Sequence, residues 1–136
     1  MHDDIHQWDV LAHSCIDGRF IKKTVDWICK RTDNVFDFRT GVGGTKAIND
    51  SLFDRGTFFE VIRTSLALHK IKEVWLFDHI DCGAYGGSKK FDNDAEKEKE
   101  YHHKKLNESA KIIKEEFPDL IVKKFFVEWD KVSELK

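Results

Sequence analysis

The sequence predicts an α/β fold in which one mostly parallel four-stranded sheet, in the order 2-1-3-4, is flanked by helices. Three observations predict it. Short apolar runs alternate with segments whose apolar residues recur at helical spacing, giving the order β-α-β-α-β-α-β. Glycine is concentrated at 41–44 and 83–87, after the second and third apolar runs, where loops are expected. The length of 136 residues suits a single domain, 1–136, with enough chain to bury a core.

Each element has its own reason. Val10 to Ser14 is an apolar run that ends at Cys15 and reads as the first strand. Phe20 to Lys30 follows as a helix, with Ile21, Val25, Ile28 and Cys29 on one stripe, so Cys29 is expected in the core. Val35 to Phe38 is the second strand, stopped by the turn-rich RTGVGG. Thr57 to His69 forms a helix with Phe58, Phe59, Ile62 and Leu66 facing inward. Glu73 to Asp78 is the third strand, with Trp75 and Phe77 as core. After the loop DCGAYGG comes a charged helix whose second half carries Leu106, Ala110, Ile113 and Phe117, closed by Pro118. Leu120 to Val127 is the fourth strand. Parallel strands joined by right-handed crossovers bind ligands beyond their carboxyl ends, where strand order reverses. In the order 2-1-3-4 the first and third strands are neighbours, so Cys15 and His79 should open at the same edge.

Composition excludes several function classes. Lys and Arg number 23 against 25 Asp and Glu, and the tract KKFDNDAEKEKEYHHKK alternates sign, so a solvated helix face is expected rather than a nucleic-acid surface. No apolar run approaches the roughly 18–20 residues that span a bilayer, and the polar MHDDIHQWDV lacks the apolar stretch of a signal peptide. Three cysteines form no disulfide framework and suit a reducing compartment, so a cytoplasmic location is expected.

Two strings carry the chemistry, Cys15-Ile-Asp17-Gly-Arg19 and His79-Ile-Asp-Cys82. Zinc prefers soft sulfur and borderline nitrogen in tetrahedral geometry, and Cys15, His79 and Cys82 supply three such ligands, with a fourth position for water, substrate or Asp17. One zinc ion per chain is expected. Two thiolates neutralise the ion, so a bound water should ionise above the value of about 7 typical of a three-histidine site. Asp17 and Arg19 are one residue apart, so in extended backbone both side chains leave on one side. Arg19 can then hold the Asp17 carboxylate ionised and keep it off the metal, leaving it free to accept a hydrogen bond from the nucleophile.

Taken in order, Cys-x-Asp-x-Arg, Arg39 in FRTGVGG and His-x-x-Cys-Gly resemble the β-class carbonic anhydrases, as does the segment RTSLALHKIKEVWLFDHIDCGA. The resemblance covers residues 10 to 87. It implies zinc on Cys15, His79 and Cys82, an Asp17–Arg19 catalytic pair, and reversible hydration of carbon dioxide to bicarbonate by zinc-bound hydroxide. It also implies a cleft completed by a second subunit, hence a homodimer or higher homo-oligomer. Three departures stand out. The turn reads Arg39-Thr-Gly-Val-Gly-Gly where the family has Arg-Asn-Ala-Gly, and Asp78 replaces the glycine that commonly precedes the histidine. No segment resembles the N-terminal helices that embrace the partner. Hydrolysis of carbonyl sulfide or carbon disulfide, or non-catalytic zinc binding with Asp17 on the ion, are the alternatives.

The remaining candidates carry plainer expectations. Arg39 either braces the glycine turn or reaches a bound anion. Gly41, Gly43 and Gly44 are expected to supply left-handed backbone rather than a phosphate cradle, since no Gly-Lys-Ser/Thr follows. Gly41, like Gly83 in the turn beyond Cys82, either braces its turn or borders a bound substrate or anion. Of His102 and His103, one can face the apolar stripe and one water, with a plain surface position favoured over a proton shuttle. His2, His6 and His13 are expected to be bland, although His13 lies close to the site in sequence.

Overall fold

A computed structural model describes residues 6–136 of the chain; His2 lies outside them. The elements are β1 (Val10–Ser14), α1 (Gly18–Cys29), β2 (Asp37–Thr40), α2 (Thr45–Asn49), α3 (Leu52–His69), β3 (Glu73–His79), α4 (Ala95–Glu116), β4 (Ile121–Val127) and β5 (Val132–Leu135). Two single 3-10 turns, Gly83–Tyr85 and Ser88–Phe91, lie between β3 and α4. The sheet runs β2-β1-β3-β4-β5, so the expected order of four parallel strands holds and a fifth, antiparallel strand is added beside β4. That strand has four residues and follows a charged turn, which left it without a readable apolar period. The five-residue helix α2 was also unforeseen, and β2 lies two residues later than expected.

Strand alternation builds two cores. Val10, Ala12, Trp75, Phe77 and Phe125 pack with Phe20 and Ile28 of α1. Leu11, Val74 and Leu76 pack with Ile48 of α2, Phe58 and Ile62 of α3, and Leu106 and Ile113 of α4. One helix therefore covers one face and three cover the other. Phe58 is fully buried, and truncating such a residue to alanine costs about 3–5 kcal/mol. The helices have chemical starts: the Ser51 hydroxyl accepts from the Asp54 N–H, and the Asp94 carboxylate accepts from the Glu96 and Lys97 N–H groups. Cys29, expected in the core, is only half-buried at the last residue of α1.

On α4 the buried residues are Glu98, His102, Leu106, Ser109 and Ile113, a stripe at three- and four-residue spacing. The inward face thus continues through the polar half of the helix, and His102 is not a surface residue. Its Nδ1 lies 2.7 Å from Asp78 Oδ2, and both side chains are fully buried. Asp78 lies on the same face of β3 as Val74 and Leu76. It accepts from the Thr45 N–H (3.0 Å) and the Thr45 hydroxyl (2.7 Å) at the start of α2. The carboxylate standing in place of glycine therefore ties α2 and α4 to the end of β3.

Candidate metal centre

β1 and β3 pair from Val10 with Glu73 to His13 with Leu76, so Cys15 and His79 emerge together at the carboxyl edge. The loop after β3 then turns back through Asp81, whose φ of 56° is left-handed, and returns Cys82 to the same point. One donor atom from each of Cys15, His79 and Cys82 lies within 4.8 Å of the others, and all three residues are buried. The sulfurs of Cys15 and Cys82 are 4.0 Å apart.

The donor set fits a metal ion. His79 Nδ1 donates to the Ile80 carbonyl at 2.7 Å, which leaves the lone pair on Nε2. Nε2 is buried and has no hydrogen-bond partner, a costly state unless something else engages it. Phe20 of α1 stacks on the imidazole, with centroids 4.4 Å apart, and fixes its plane. The hydrogen bond with Cys82 pulls the Cys15 thiol down to about 4, outweighing the upward push of burial, and Cys82 is raised correspondingly. The sulfur pair therefore gives up its first proton readily and holds the second. Burial lowers the His79 pKa, but the attraction of the Cys15 thiolate and the Ile80 carbonyl outweighs it and the net shift is upward. Two soft sulfurs and one nitrogen oriented by the backbone form a set that suits zinc.

Asp17 and Arg19 sit against this cluster. The backbone is not extended here as expected: Asp17 caps α1, accepting the Arg19 N–H at 2.9 Å, and Arg19 lies in the first helical turn. The side chains still meet. Arg19 Nε lies 3.1 and 3.2 Å from the two Asp17 oxygens, and Nη2 lies 2.6 Å from Oδ2. Those bonds hold the Asp17 carboxyl down to about 2, against a smaller upward push from burial. Asp17 Oδ2 is 3.8 Å from His79 Nε2.

The turn after β2 forms the facing wall. Gly44 has a φ of 63°, and a Cβ there would lie 2.6 Å from Asp78 Oδ1 and 2.9 Å from the Phe77 carbonyl, so only glycine lets the chain cross the end of β3. Gly41, expected to be left-handed, is not; its constraint is space, with a Cβ meeting Ala47 Cβ at 2.9 Å. Nothing lies within 4 Å of a Cβ at Gly83, which leaves that side of the turn open. Arg39 points at neighbouring elements: Nη2 donates to the Thr57 hydroxyl (2.8 Å) and the Asp54 carbonyl (3.4 Å), and Nη1 lies 3.5 Å from His13 Nδ1. It braces α3 and, through His13, the glycine turn.

His13 is the residue whose plain expectation fails. It is fully buried, and its Nε2 lies 2.9 Å from the Gly44 carbonyl. Donation from Nε2 and acceptance at Nδ1 from Arg39 define a neutral ring, and burial lowers its pKa from 6.5 to about 4. An unfolded chain binds this proton from pH 6.5 downward and the folded chain only near 4, so stability falls as pH drops through that window. The loss is about 3 kcal/mol by pH 4. Urea unfolding at pH 7.5 and 4.5 should show the decline, and His13→Gln, which can still donate to Gly44, should make it shallower.

Sequence reasoning missed Asp81, Ser88 and Glu98. Asp81 Oδ2 accepts from Arg19 Nη1 at 3.1 Å and its carbonyl accepts from Nη2 at 3.0 Å. Asp81 stands inside the second string, so its place beside the ligands was visible, but its partner was not.

An uncharacterized protein of Rickettsia bellii is 35% identical over 136 residues, spanning 96% of this chain and 82% of the relative. A second, from Rickettsia conorii, is 36% identical over 137 residues, spanning 96% and 73%. The crystal structure of the β-carbonic anhydrase CafA of Aspergillus fumigatus superposes with a TM-score of 0.52 at 15% identity, covering 97% of this chain and 76% of that one. At that identity the likeness speaks for the fold, with its parallel sheet and helices on both faces. Residues 6–135 match the family described as "Putative carbonic anhydrase", and the chain belongs to that family.

Proposed function

We propose that the protein is a zinc-dependent carbonic anhydrase that converts carbon dioxide and water reversibly to bicarbonate and a proton. The observation that carries this reading is the meeting of Cys15, His79 and Cys82, with an unpartnered buried Nε2, directly beside an ionised Asp17. Cys15, His79 and Cys82 would hold the ion, which when bound supplies the Lewis acidity that makes water nucleophilic near neutral pH. Asp17, kept ionised by Arg19, accepts a hydrogen bond from the attacking water and turns its lone pair toward the carbon. The water oxygen forms the new C–O bond, one C=O electron pair moves onto oxygen, and the proton leaves to solvent. Gly83 leaves room at the cleft, and the clamped Gly41–Gly44 turn supports its far wall.

Carbon dioxide is small and apolar, so the substrate needs little beyond an activated water and an apolar approach. Stopped-flow hydration tests the reading: turnover should require one zinc ion per chain and vanish on chelation. Stoichiometric zinc without turnover from neutral to alkaline pH would favour a non-catalytic site. The 3.8 Å approach of Asp17 Oδ2 to His79 Nε2 supports that second reading, since a small rotation would add the carboxylate to the ligand set.

The working form is a homodimer or a higher homo-oligomer. Phe53 and Leu52 at the start of α3 and Val42 in the glycine turn are large, exposed apolar side chains on the elements that border the cleft, as is Ile16 between Cys15 and Asp17. Sedimentation should show at least a dimer, and Phe53→Asp should shift it to monomer and lower turnover. The thiols are all free, which suits a cytoplasmic location, and no helix among the described residues is long and apolar enough to cross a membrane.

A further inference from the structure

We propose that Asp81 and Glu98 are positioning residues that hold Arg19, and through it hold Asp17 off the Cys15–His79–Cys82 cluster. The inference rests on the metal-site reading above and extends it to residues outside that site. Arg19 is about half exposed, and a side chain of that length does not stay in one place unless it is held from more than one direction. Its hydrogen bonds run in two directions, and the Phe20 and Trp129 rings lie 5.5 and 5.4 Å from the guanidinium carbon. One edge of the guanidinium, Nε and Nη2, meets Asp17, and the other, Nη1 and Nη2, meets the Asp81 carboxylate and the Asp81 carbonyl.

Asp81 is in turn fixed from behind. Its Oδ1 accepts the Ser88 N–H at 2.9 Å, and its own N–H donates to Glu98 Oε2 at 2.8 Å. The second Glu98 oxygen accepts the Ser88 hydroxyl at 2.8 Å. Glu98 is almost completely buried, a costly place for a carboxylate, and both its oxygens are spent on the two residues that shape this loop. The loop needs such support because Asp81 is a non-glycine residue in left-handed backbone. Gly87 also packs close: a Cβ there would lie 3.0 Å from Asp81 Oδ1. The connection therefore runs from α4 through the Asp81 loop to the guanidinium and ends at Asp17.

Removing the Asp81 carboxylate leaves the outer edge of Arg19 held by the Asp81 carbonyl alone, and the loosened guanidinium lets Asp17 turn toward His79 Nε2, 3.8 Å away, completing a four-ligand set. Partners of this kind typically carry about 10–100-fold in activity or affinity. The variant to examine first is Asp81→Ala, since Asp81 is partly exposed and its loss should be tolerated; Glu98→Gln is the second, because Glu98→Ala strands both the Asp81 N–H and the Ser88 hydroxyl.

Three measurements separate the possibilities. The Arg19 Nε–H resonance of the metal-free protein should exchange slowly with water in the wild type and much faster in Asp81→Ala. Azide should bind the cobalt-substituted Asp81→Ala protein about 10-fold more weakly than wild type, and adding Asp17→Ala should restore its affinity, since the competing carboxylate is gone. Carbon dioxide turnover should fall mainly in kcat. Unchanged Arg19 exchange in both Asp81→Ala and Glu98→Gln would overturn the proposal, as would weak azide binding that Asp17→Ala fails to rescue. Wild-type protein that binds cobalt and azide without hydrating carbon dioxide would sink the functional reading alone. Protein that binds no metal would do the same, and the exchange measurement would still decide the positioning role.

Discussion

Replacing Cys82 with serine is expected to lower carbon dioxide hydration by about three orders of magnitude or more and to leave less than about a tenth of the zinc bound. Serine differs from cysteine by one atom, so the fold should persist. Cys82 is buried, and its carbonyl, which accepts the Tyr85 and Gly87 N–H groups at 3.0 and 2.9 Å, makes the turn without the side chain. What changes is the donor. A hydroxyl does not ionise near neutral pH, so one of the two charges that would balance the ion disappears. Metal analysis and stopped-flow hydration on the same preparation check the expectation, with thermal unfolding of the metal-free proteins as the control for folding. Calorimetry adds a second signature. Cys15 is pulled down by its bond with Cys82 and Cys82 is raised, so the metal-free pair holds one proton at neutral pH. Zinc uptake should therefore release about one proton from the sulfurs, plus whatever His79 carries. Full zinc content and turnover in Cys82→Ser would remove Cys82 from the ligand set.

The centre was legible in the sequence because both strings end strands, and topology alone brings strand ends together. Cys15 follows β1 and His79 ends β3, and once the order 2-1-3-4 is inferred from strand–helix alternation the two must share an edge. The supporting contacts were not legible in the same way. Glu98 reaches the Asp81 N–H across the loop, and a bond to a backbone group asks nothing of the recipient's identity, so no residue pair announces it. His102 could have been found, because the stripe 98, 102, 106, 109, 113 continues the period of the apolar half; its polar members concealed it. His13 was concealed differently. β1 is buried along its whole length on both faces, so no polar alternation marked His13 as enclosed; Phe58 covers it, 4.7 Å away between ring centroids. The short β5 lacks any period long enough to read, and its existence depends on pairing with β4.

Asp17→Asn is expected to keep the metal and the helix yet lose about 10²–10³-fold in kcat. The substitution isolates charge from structure because asparagine caps helices about as well as aspartate. The cap bond from the Arg19 N–H, 2.9 Å in length, can therefore survive. The pairing with Arg19 cannot survive intact: the carboxylate accepts from Nε and Nη2 with both oxygens, and an amide would turn its NH₂ group toward one of those donors. The pH dependence follows from the same bonds. Arg19 holds the Asp17 carboxyl at about 2, below its ordinary 3.8, so the charge is present throughout the neutral and alkaline range. Its contribution to stability is complete above about pH 4 and is lost as pH falls through 2. No ionisation of Asp17 should therefore show in the wild-type rate profile above neutrality, and Asp17→Asn should lower its plateau. Arg19→Lys should fall between the two, since an ammonium supplies charge but not the fork that spans Asp17 and Asp81. If Asp17→Asn hydrates carbon dioxide as fast as wild type, Asp17 is a helix cap and the proton-side contact to the attacking water must come from elsewhere.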